Sequence, residues 1–177
     1  MTKKNSFSKK ARMRYRPWYW PFWMLSRLTH PLSPGLWLVN VLHQRVLRIN
    51  GEIPWMVHFT STVFGKVSIG RNVEKYFAVS GGCYIQGING IEIGDDTMIA
   101  PGVKIISANH SICNFATWET CDPIRIDKRC WIGAGAIILP GVQLGDEAII
   151  GAGSVVTKNV PSRSIMVGNP ARVLKSE

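Results

Sequence analysis

An aliphatic residue returns every six positions between residues 126 and 156, and this spacing limits what the chain can fold into. A period of six fits neither the 3.6-residue turn of an amphipathic helix nor the two-residue alternation of a long strand. It fits short strands joined by tight turns, so the chain is predicted to wind as a solenoid. The aliphatic side chains should stack along the solenoid axis; they are Ile126, Ile132, Ile138, Leu144, Ile150 and Val156.

A small or slim side chain follows four positions after each aliphatic residue and is predicted to fill the cramped corner of each coil. These residues are Cys130, Ala136, Val142, Ala148, Ser154 and Val160. The same period continues more weakly from Val63 to Ile105. Three residues break it at core-facing positions, namely Lys75, Gly81 and Gly87. Distorted turns or bulges are therefore expected over residues 74 to 90 instead of regular strands.

A loop of roughly residues 107 to 125 is predicted to interrupt the solenoid, because Ile105 and Ile126 are 21 positions apart and six does not divide this number. Its sequence, SANHSICNFATWETCDPIR, has a histidine, two aromatic residues and amides, but no run able to form a core of its own. Loops that leave a rigid scaffold commonly carry function. Functional residues are therefore expected here.

The excess of positive charge lies in the first part of the chain. The 177 residues carry a net charge of +10, and residues 1 to 48 hold ten lysines and arginines without an acid. Residues 49 to 177 hold eleven charges of each sign. The length fits one ordinary domain. We predict a basic, aromatic and partly helical arm over residues 1 to 50, a solenoid over residues 51 to 164 and a tail over residues 165 to 177.

Two interpretations of the arm stay open. Its charge and its aromatic cluster between Trp18 and Trp23 favour peripheral contact with an anionic membrane surface, where tryptophan settles among the headgroups. Prolines and charges interrupt its apolar runs and no secretory signal is recognisable, so a cytoplasmic protein is expected, with residues 1 to 48 at the inner face of the membrane. Alternatively, a helix over residues 35 to 48 caps the solenoid with an apolar side. That side would carry Leu36, Val39, Leu42, Val46 and Ile49. No nucleic-acid partner is predicted, because no binding motif accompanies the charge.

The four cysteines show no C-x-x-C spacing, so neither a zinc knuckle nor a disulfide framework is indicated. They are Cys83, Cys113, Cys121 and Cys130. Free thiols are expected, two of them in or near core positions of the repeat. A catalytic Cys113 near His110 is the weaker alternative.

The last repeats, WIGAGAIILPGVQLGDEAIIGAGSVVTKNVP followed by GNPARV, together with the loop that carries Asn109 and His110, resemble the hexapeptide-repeat acyltransferases. This family includes galactoside and maltose O-acetyltransferases and capsule or lipopolysaccharide O-acetyltransferases. The resemblance covers roughly residues 55 to 175. It implies an all-β, left-handed parallel β-helix, a homotrimer, and acetyl-CoA as acyl donor without a metal. The hand is implied by the resemblance alone, since the spacing does not reveal it.

His110 matches the catalytic histidine of this family. Transfer of an acetyl group from a thioester to a hydroxyl needs a base that takes the hydroxyl proton, and imidazole is the side chain that titrates nearest to neutral pH. His110 is therefore the predicted general base. Asn109 would orient the imidazole or shape the turn. Glu119 or Asp122 would hold the other ring nitrogen of His110, bind a sugar hydroxyl or remain a solvated charge. Trp118 would offer an apolar face to a sugar ring or pack between subunits.

The resemblance also implies a coenzyme A site. Small side chains would let the pantetheine arm lie against the coils, and two cations would suit its phosphates. The six matching positions are Trp131, Ala134, Ala152, Thr157, Lys158 and Arg172. Residues 80 to 82, Ser-Gly-Gly, stand where galactoside-type relatives have an acceptor-binding asparagine. Gln86 and Asn89 are the predicted substitutes, although both could instead bond backbone groups in a bulge.

The predicted function is transfer of an acetyl group from acetyl-CoA to a hydroxyl of a sugar in a surface polysaccharide or its lipid-linked precursor. An antibiotic acceptor and a non-catalytic scaffold are the alternatives. A zinc hydratase, which shares the solenoid, needs three histidines per metal. Only His58 and His110 lie in or beside the solenoid, so this class is disfavoured.

Overall fold

The computed structural model describes residues 32 to 176, and the prediction for the aromatic cluster at residues 18 to 23 lies outside them. The described chain begins with helix α1 (Pro34–Val41), which continues into a π-helical turn (Leu42–Val46). The Ser33 side chain accepts a hydrogen bond from the amide of Leu36 at 3.4 Å, and Pro34 occupies the first helical position. Both residues are typical of a helix start. The partly helical arm is thus confirmed for these residues.

Residues 62 to 176 form twelve strands, most of them two or three residues long. One short helix, α2 (Glu74–Val79), lies between the first two. The strands are β1 (Thr62–Ile69), β2 (Tyr84–Ile93), β3 (Met98–Ile99), β4 (Lys104–Ile106), β5 (Ile124–Ile126), β6 (Trp131–Ile132), β7 (Ile137–Ile138), β8 (Gln143–Leu144), β9 (Ile149–Ile150), β10 (Val155–Val156), β11 (Ser164–Gly168) and β12 (Ala171–Ser176).

The strands stack in parallel on three faces of one coil. The first face joins the start of β2 to β4, β7 and β10, and the second joins the end of β2 to β5 and β8. The third face joins β3, β6, β9 and β11. Trp131 pairs with Ile149, 18 positions later, so one turn of the coil takes three six-residue repeats. The prediction of a mostly β, parallel architecture is confirmed.

The repeat supplies the core of the coil, as predicted. Each of the six aliphatic residues from Ile126 to Val156 is at most 2% exposed, and the small residues that follow them are equally enclosed. Stacking removes these side chains from water, and burial of each stabilises the fold by roughly 1.5–3 kcal/mol. Cys83 and Cys130 lie in this core, Cys113 is exposed, Cys121 is half-buried, and all four thiols are free.

The corners of the coil use two kinds of backbone. Glycines with positive φ form the corner between the third and first faces, at Gly82, Gly102, Gly135 and Gly153. Larger residues adopt positive φ at the corner between the second and third faces, at Asn72, Asp96, Arg129, Glu147 and Arg163. At these two corners the positive-φ position therefore belongs to glycine in one case and to larger residues in the other. Glu147 pairs there with Arg129 and Arg163 of neighbouring coils, and such exposed ion pairs contribute little to stability.

Residues 74 to 90 depart from regular strands, as expected. Residues 74 to 79 form helix α2, which places Phe77 in the core. The pairing of β1 with β2 then shifts register: Gly65 pairs with Gly87 but Val67 pairs with Ile91, so β2 bulges between these two partners. Gly90 lies within this bulge and has a φ of +99°. The helical form of the first distortion was not predicted from the sequence.

The helical cap also differs from its prediction. The apolar side of the helix was expected to pack on the solenoid, but Leu42, Val46 and Ile49 are 46%, 66% and 46% exposed. The tail predicted for residues 165 to 177 is wrong for most of its length, because β11 and β12 occupy it with a turn between them. β11 pairs with β9 in parallel and with β12 in antiparallel. Within residues 32 to 176, no helix is long and apolar enough to cross a membrane.

Candidate functional site

The predicted loop leaves the coil between β4 and β5 and comprises residues 107 to 123. It therefore stands at the corner between the first and second faces. Side chains of the preceding coil hold its base: Asn89 Nδ2 donates to the carbonyl oxygens of Ser107 and Glu119 at 2.9 and 2.8 Å. Gln86 Oε1 accepts from the amide of Ala108 at 3.1 Å. The two ends of the loop are thus tied to β2 and to each other.

The loop folds back on itself around a pair of rings. His110 and Trp118 form an antiparallel bridge, and their ring centroids are 3.8 Å apart with the planes inclined by 31°. Backbone hydrogen bonds flank the pair, from Ser111 to Thr117 and from Glu119 to Asn109, both at 2.9 Å. Contact with the indole restricts the imidazole, which is a requirement for a positioned base.

The edges of the His110 ring remain accessible. In the part of the chain that the structure describes, neither ring nitrogen of His110 has a hydrogen-bond partner, and the residue is exposed. Glu119 and Asp122, the two acids of the loop, are also exposed and do not bond the imidazole. A neutral imidazole in this state has one free lone pair able to accept a proton.

Gln86 and Asn89, two predicted acceptor-binding residues, engage the protein itself. Gln86 is 4% exposed and its oxygen is used at the loop base, while the Asn89 amide nitrogen has two backbone acceptors. This is the bulge-stabilising alternative that the sequence left open. Asn109 and Glu119 are exposed beside His110, and Trp118 is 42% exposed, so these three remain available to a ligand.

The six residues predicted for coenzyme A fall on different parts of the coil. Thr157 and Lys158 are exposed at the corner from which the loop leaves, beyond β10. Ala134 and Ala152 are exposed at the corner between the third and first faces, where they occupy equivalent places in adjacent coils. The two remaining residues are Trp131, 49% exposed on the third face, and Arg172 on β12, whose guanidinium donates to the Ala171 carbonyl at 3.0 Å.

The corner that carries Ala134 and Ala152 is open. No atom lies within 4 Å of the place where a Cβ would stand on Gly135 or Gly153. A long, thin ligand could therefore approach the backbone closely along this edge. His110 belongs to a different edge of the same chain, so one copy does not bring the predicted base and this corner together.

Two residues near the Ser-Gly-Gly segment were missed by the sequence reasoning. His58 Nδ1 lies 2.9 Å from Thr60 Oγ1, which accepts a hydrogen bond from the amide of Gly82 at 2.9 Å. A Cβ on Gly81 would lie 2.9 Å from the His58 ring, so the histidine fills the space that a larger residue 81 would need. Burial lowers the pKa of His58. The repeat offers no signal for this pair, since both residues precede the first strand.

A shallow depression on the second face contains none of the predicted site residues. It is lined by Arg125, Asp127, Gln143, Asn159 and Ser162, among others. Elsewhere within residues 32 to 176, no three histidines, cysteines or acids are grouped closely enough to hold a metal ion.

Comparison with known proteins agrees with the repeat and with the coil. Residues 123 to 158 match the family model described as the hexapeptide repeat of succinyl-transferase. The galactoside O-acetyltransferase of Escherichia coli is 33% identical over 129 residues, which is 71% of this chain and 62% of that protein. A maltose O-acetyltransferase structure from Clostridium difficile is 39% identical with a TM-score of 0.54, covering 62% of this chain and 58% of that one.

A second structure shows a hexapeptide-repeat acetyltransferase from Vibrio cholerae complexed with acetyl coenzyme A. It is 30% identical with a TM-score of 0.57, and the match covers 66% of this chain and 63% of that one. The chain spans 50% to 62% of the length of the first curated relatives that it matches. In sequence and in fold, the chain resembles the hexapeptide-repeat acetyltransferases.

Proposed function

We propose that this protein is a CoA-dependent O-acetyltransferase with His110 as its general base. The observation that carries the proposal is the exposed imidazole of His110, which packs against Trp118 in a loop whose base is tied to the coil. A positioned histidine with open ring nitrogens suits proton transfer. The acetyltransferase names of the relatives, and the acetyl coenzyme A in the Vibrio cholerae structure, support the reaction class.

The proposed reaction transfers one proton and one acetyl group. The neutral imidazole of His110 takes the proton of an acceptor hydroxyl while the hydroxyl oxygen attacks the thioester carbonyl. The tetrahedral intermediate then collapses, the carbon–sulfur bond breaks, and the sulfur leaves with the proton that His110 returns. The products are an acetyl ester and the free thiol of coenzyme A. Trp118 contributes by fixing the plane of the imidazole.

Coenzyme A would lie along the open corner that carries Ala134 and Ala152, with Trp131 beside it. Because His110 stands on another edge of the chain, we propose that the loop of one copy faces the open corner of a second. Arg172 would meet the phosphates of coenzyme A. Lys158 and Thr157 lie at the corner from which the loop leaves, so the copy that supplies the loop would contribute their ammonium and hydroxyl groups. A homotrimer of left-handed coils, as the resemblance implies, would close three such sites.

The acceptor would be a sugar hydroxyl of a surface polysaccharide or its lipid-linked precursor, bound in the cytoplasm. Galactoside and maltose in the names of two relatives support a sugar. Trp118 is half exposed beside the base, and aromatic faces pack well against sugar rings. Asn109 and Glu119 would supply hydrogen bonds to the ring hydroxyls. Gln86 and Asn89 would act on the acceptor through the loop that they hold.

His110→Ala tests the proposal. With acetyl-CoA and a panel of oligosaccharide and antibiotic acceptors, release of the coenzyme A thiol should fall at least about 100-fold, which is the lower range for loss of a general base. The oligomeric mass should not change, since the side chain is exposed. His43→Ala is the matched control, because its imidazole lies on the π-helical turn, away from the loop.

Full activity of His110→Ala would refute the assigned base. Thiol release by the unaltered protein with antibiotics but with no sugar would instead favour the xenobiotic alternative and overturn the proposed acceptor.

A further inference from the structure

The helix that precedes the coil has its polar side buried. Asn40 is fully buried and Gln44 is 4% exposed. Asn40 Nδ2 donates to the Ala78 carbonyl at 2.9 Å, and its oxygen accepts from the amide of Phe59 at 2.9 Å. Gln44 Nε2 lies 3.0 and 2.7 Å from the carbonyl oxygens of Ile53 and Trp55. Amide side chains, not an apolar stripe, therefore fasten this helix to the coil.

The opposite side of the same helix is apolar and faces outward. Five aliphatic residues within twelve positions are between 46% and 66% exposed; they are Leu38, Leu42, Val46, Leu47 and Ile49. Leu38, Leu42 and Val46 follow each other at the four-residue spacing that places side chains on one side of a helix. A helix at the surface of a protein in water normally shows the reverse pattern. This arrangement has a physical rationale only if the outward side meets an apolar environment.

The charge around this side is positive. Arg45 and Arg48 are exposed among the five aliphatic residues. The first 51 residues contain ten lysines and arginines and no acid, and their tryptophans lie at positions 18, 20, 23 and 37. Aliphatic side chains, cations and tryptophans without acids are the composition that binds anionic lipid headgroups and the acyl region just beneath them.

We propose that the outward side of residues 38 to 49 is a docking surface for an anionic phospholipid bilayer. The aliphatic side chains would enter the boundary between headgroups and acyl chains, and Arg45 and Arg48 would contact lipid phosphates. Asn40 and Gln44 would transmit this attachment to the coil, because both bond its backbone directly. The inference rests on the exposed side chains of this helix and does not depend on the proposed acetyl transfer.

A protein partner is a weaker explanation of the same surface. Aromatic residues dominate the centres of protein interfaces, whereas the exposed apolar side chains of this surface are all aliphatic. An acidic protein surface would satisfy the arginines but not the five aliphatic side chains. A bilayer with anionic headgroups satisfies both.

Flotation of the full-length protein with lipid vesicles tests the proposal. The protein should partition at least about tenfold better into vesicles that contain phosphatidylglycerol than into phosphatidylcholine alone. Leu42→Ser/Val46→Ser should weaken partitioning about tenfold or more, because both side chains would lose contact with the acyl region. Arg45→Gln/Arg48→Gln should weaken binding to the anionic vesicles and leave binding to phosphatidylcholine unchanged.

The control is Val173→Ser/Leu174→Ser, which removes two equally exposed aliphatic residues from β12, at 52% and 68% exposure. It should bind vesicles like the unaltered protein. Far-UV circular dichroism and melting temperature confirm that each variant is folded. If Leu42→Ser/Val46→Ser does not fold, Leu38→Ser/Leu47→Ser takes its place.

Three outcomes would overturn the proposal. They are absence of vesicle binding by the unaltered protein, equal loss of binding in the β12 control, and a changed oligomeric mass with normal vesicle binding in the Leu42 and Val46 variant. The last result would make this side an interface between copies of the chain. None of these outcomes bears on the loss of thiol release in His110→Ala.

Discussion

Gly133 occupies a point where two coils touch through their backbones. A Cβ at this position would lie 2.7 Å from both the amide nitrogen of Ala152 and the carbonyl oxygen of Ile150. Neither atom can move without disturbing the stacked strands, because both belong to the next coil. The absence of a side chain at this residue is therefore a packing requirement.

Gly133→Ala should lower the free energy of unfolding by roughly 1–3 kcal/mol, the usual cost of overfilling a close-packed site. Gly35→Ala in α1 is the control, since no atom lies within 4 Å of its new methyl group. It should leave stability unchanged or raise it by up to about 1 kcal/mol. Denaturant unfolding at equal protein concentration measures both. Equal stability of the two variants would contradict the close approach of the two coils at Gly133.

Cys130 shows how burial affects a titrating group. Burial is the main cause that raises the pKa of the Cys130 thiol to about 11. In the unfolded chain the thiol would titrate near ~8.5, so above that pH the unfolded state loses a proton that the folded state retains. The contribution of this thiol to stability is therefore fully present below the unfolded pKa and is lost as the pH rises toward about 11.

Cys130→Ala should flatten the alkaline decline in stability relative to the unaltered protein. Alanine fits this position, because Ala148 fills the equivalent site one coil later and is fully buried. Melting temperatures between pH 8 and 11 provide the comparison. Cys83, whose pKa burial also raises, remains in both proteins, so only part of the decline should disappear. Identical curves for the two proteins would contradict a raised pKa at Cys130.

At the scale of elements, one side chain of the preceding coil joins both arms of the loop. Asn89 joins residues on both arms of the loop, Ser107 and Glu119, through its amide nitrogen. The backbone N–H of Asn89 donates to Ser107 Oγ at 2.9 Å. These bonds offset part of the entropy cost of closing a long loop. Asn89 thus holds the base of the loop that carries His110.

Asn89→Ala should speed hydrogen exchange of the loop amides of Ser111 and Glu119 while the strands of the coil remain protected. The melting temperature should fall only slightly, because the loop contributes little to the core. Asn159→Ala is the matched control, since Asn159 bonds the amide of Gln143 at a corner of the coil. Unchanged exchange of the loop amides in Asn89→Ala would show that the hydrogen bonds of Asn89 are not needed to hold the loop.

At the scale of the whole molecule, the predicted catalytic parts lie on separate edges of one chain. The loop leaves the corner between the first and second faces, and Ala152 lies on the corner between the third and first. A second copy is the simplest way to bring the two edges together. The proposed site therefore requires a second copy of the chain.

Mixing of two inactive variants tests this arrangement. His110→Ala removes the base, and Ala152→Trp fills the open corner with a bulky side chain at an exposed position. After the two proteins are unfolded together and refolded, about one quarter of the sites in random trimers should have an intact loop facing an intact corner. Thiol release should therefore recover to about one quarter of the original rate. If trimers shown to contain both variants recover no activity, the His110 loop and the Ala152 corner of one site belong to the same chain.

Periodicity alone determined the coil, because stacked strands bury one aliphatic and one small residue per repeat, and both recur in the sequence from Ile126 to Val160. The loop also followed from the sequence, since an insertion breaks the period. Tertiary structure decided the rest. The orientation of α1 depends on backbone acceptors at Ile53, Trp55 and Ala78, which no local pattern reveals, so amides and not the apolar stripe meet the coil. The hydrogen bonds of Asn89 likewise need partners 18 and 30 positions away, and only the stacking of coils brings these residues together.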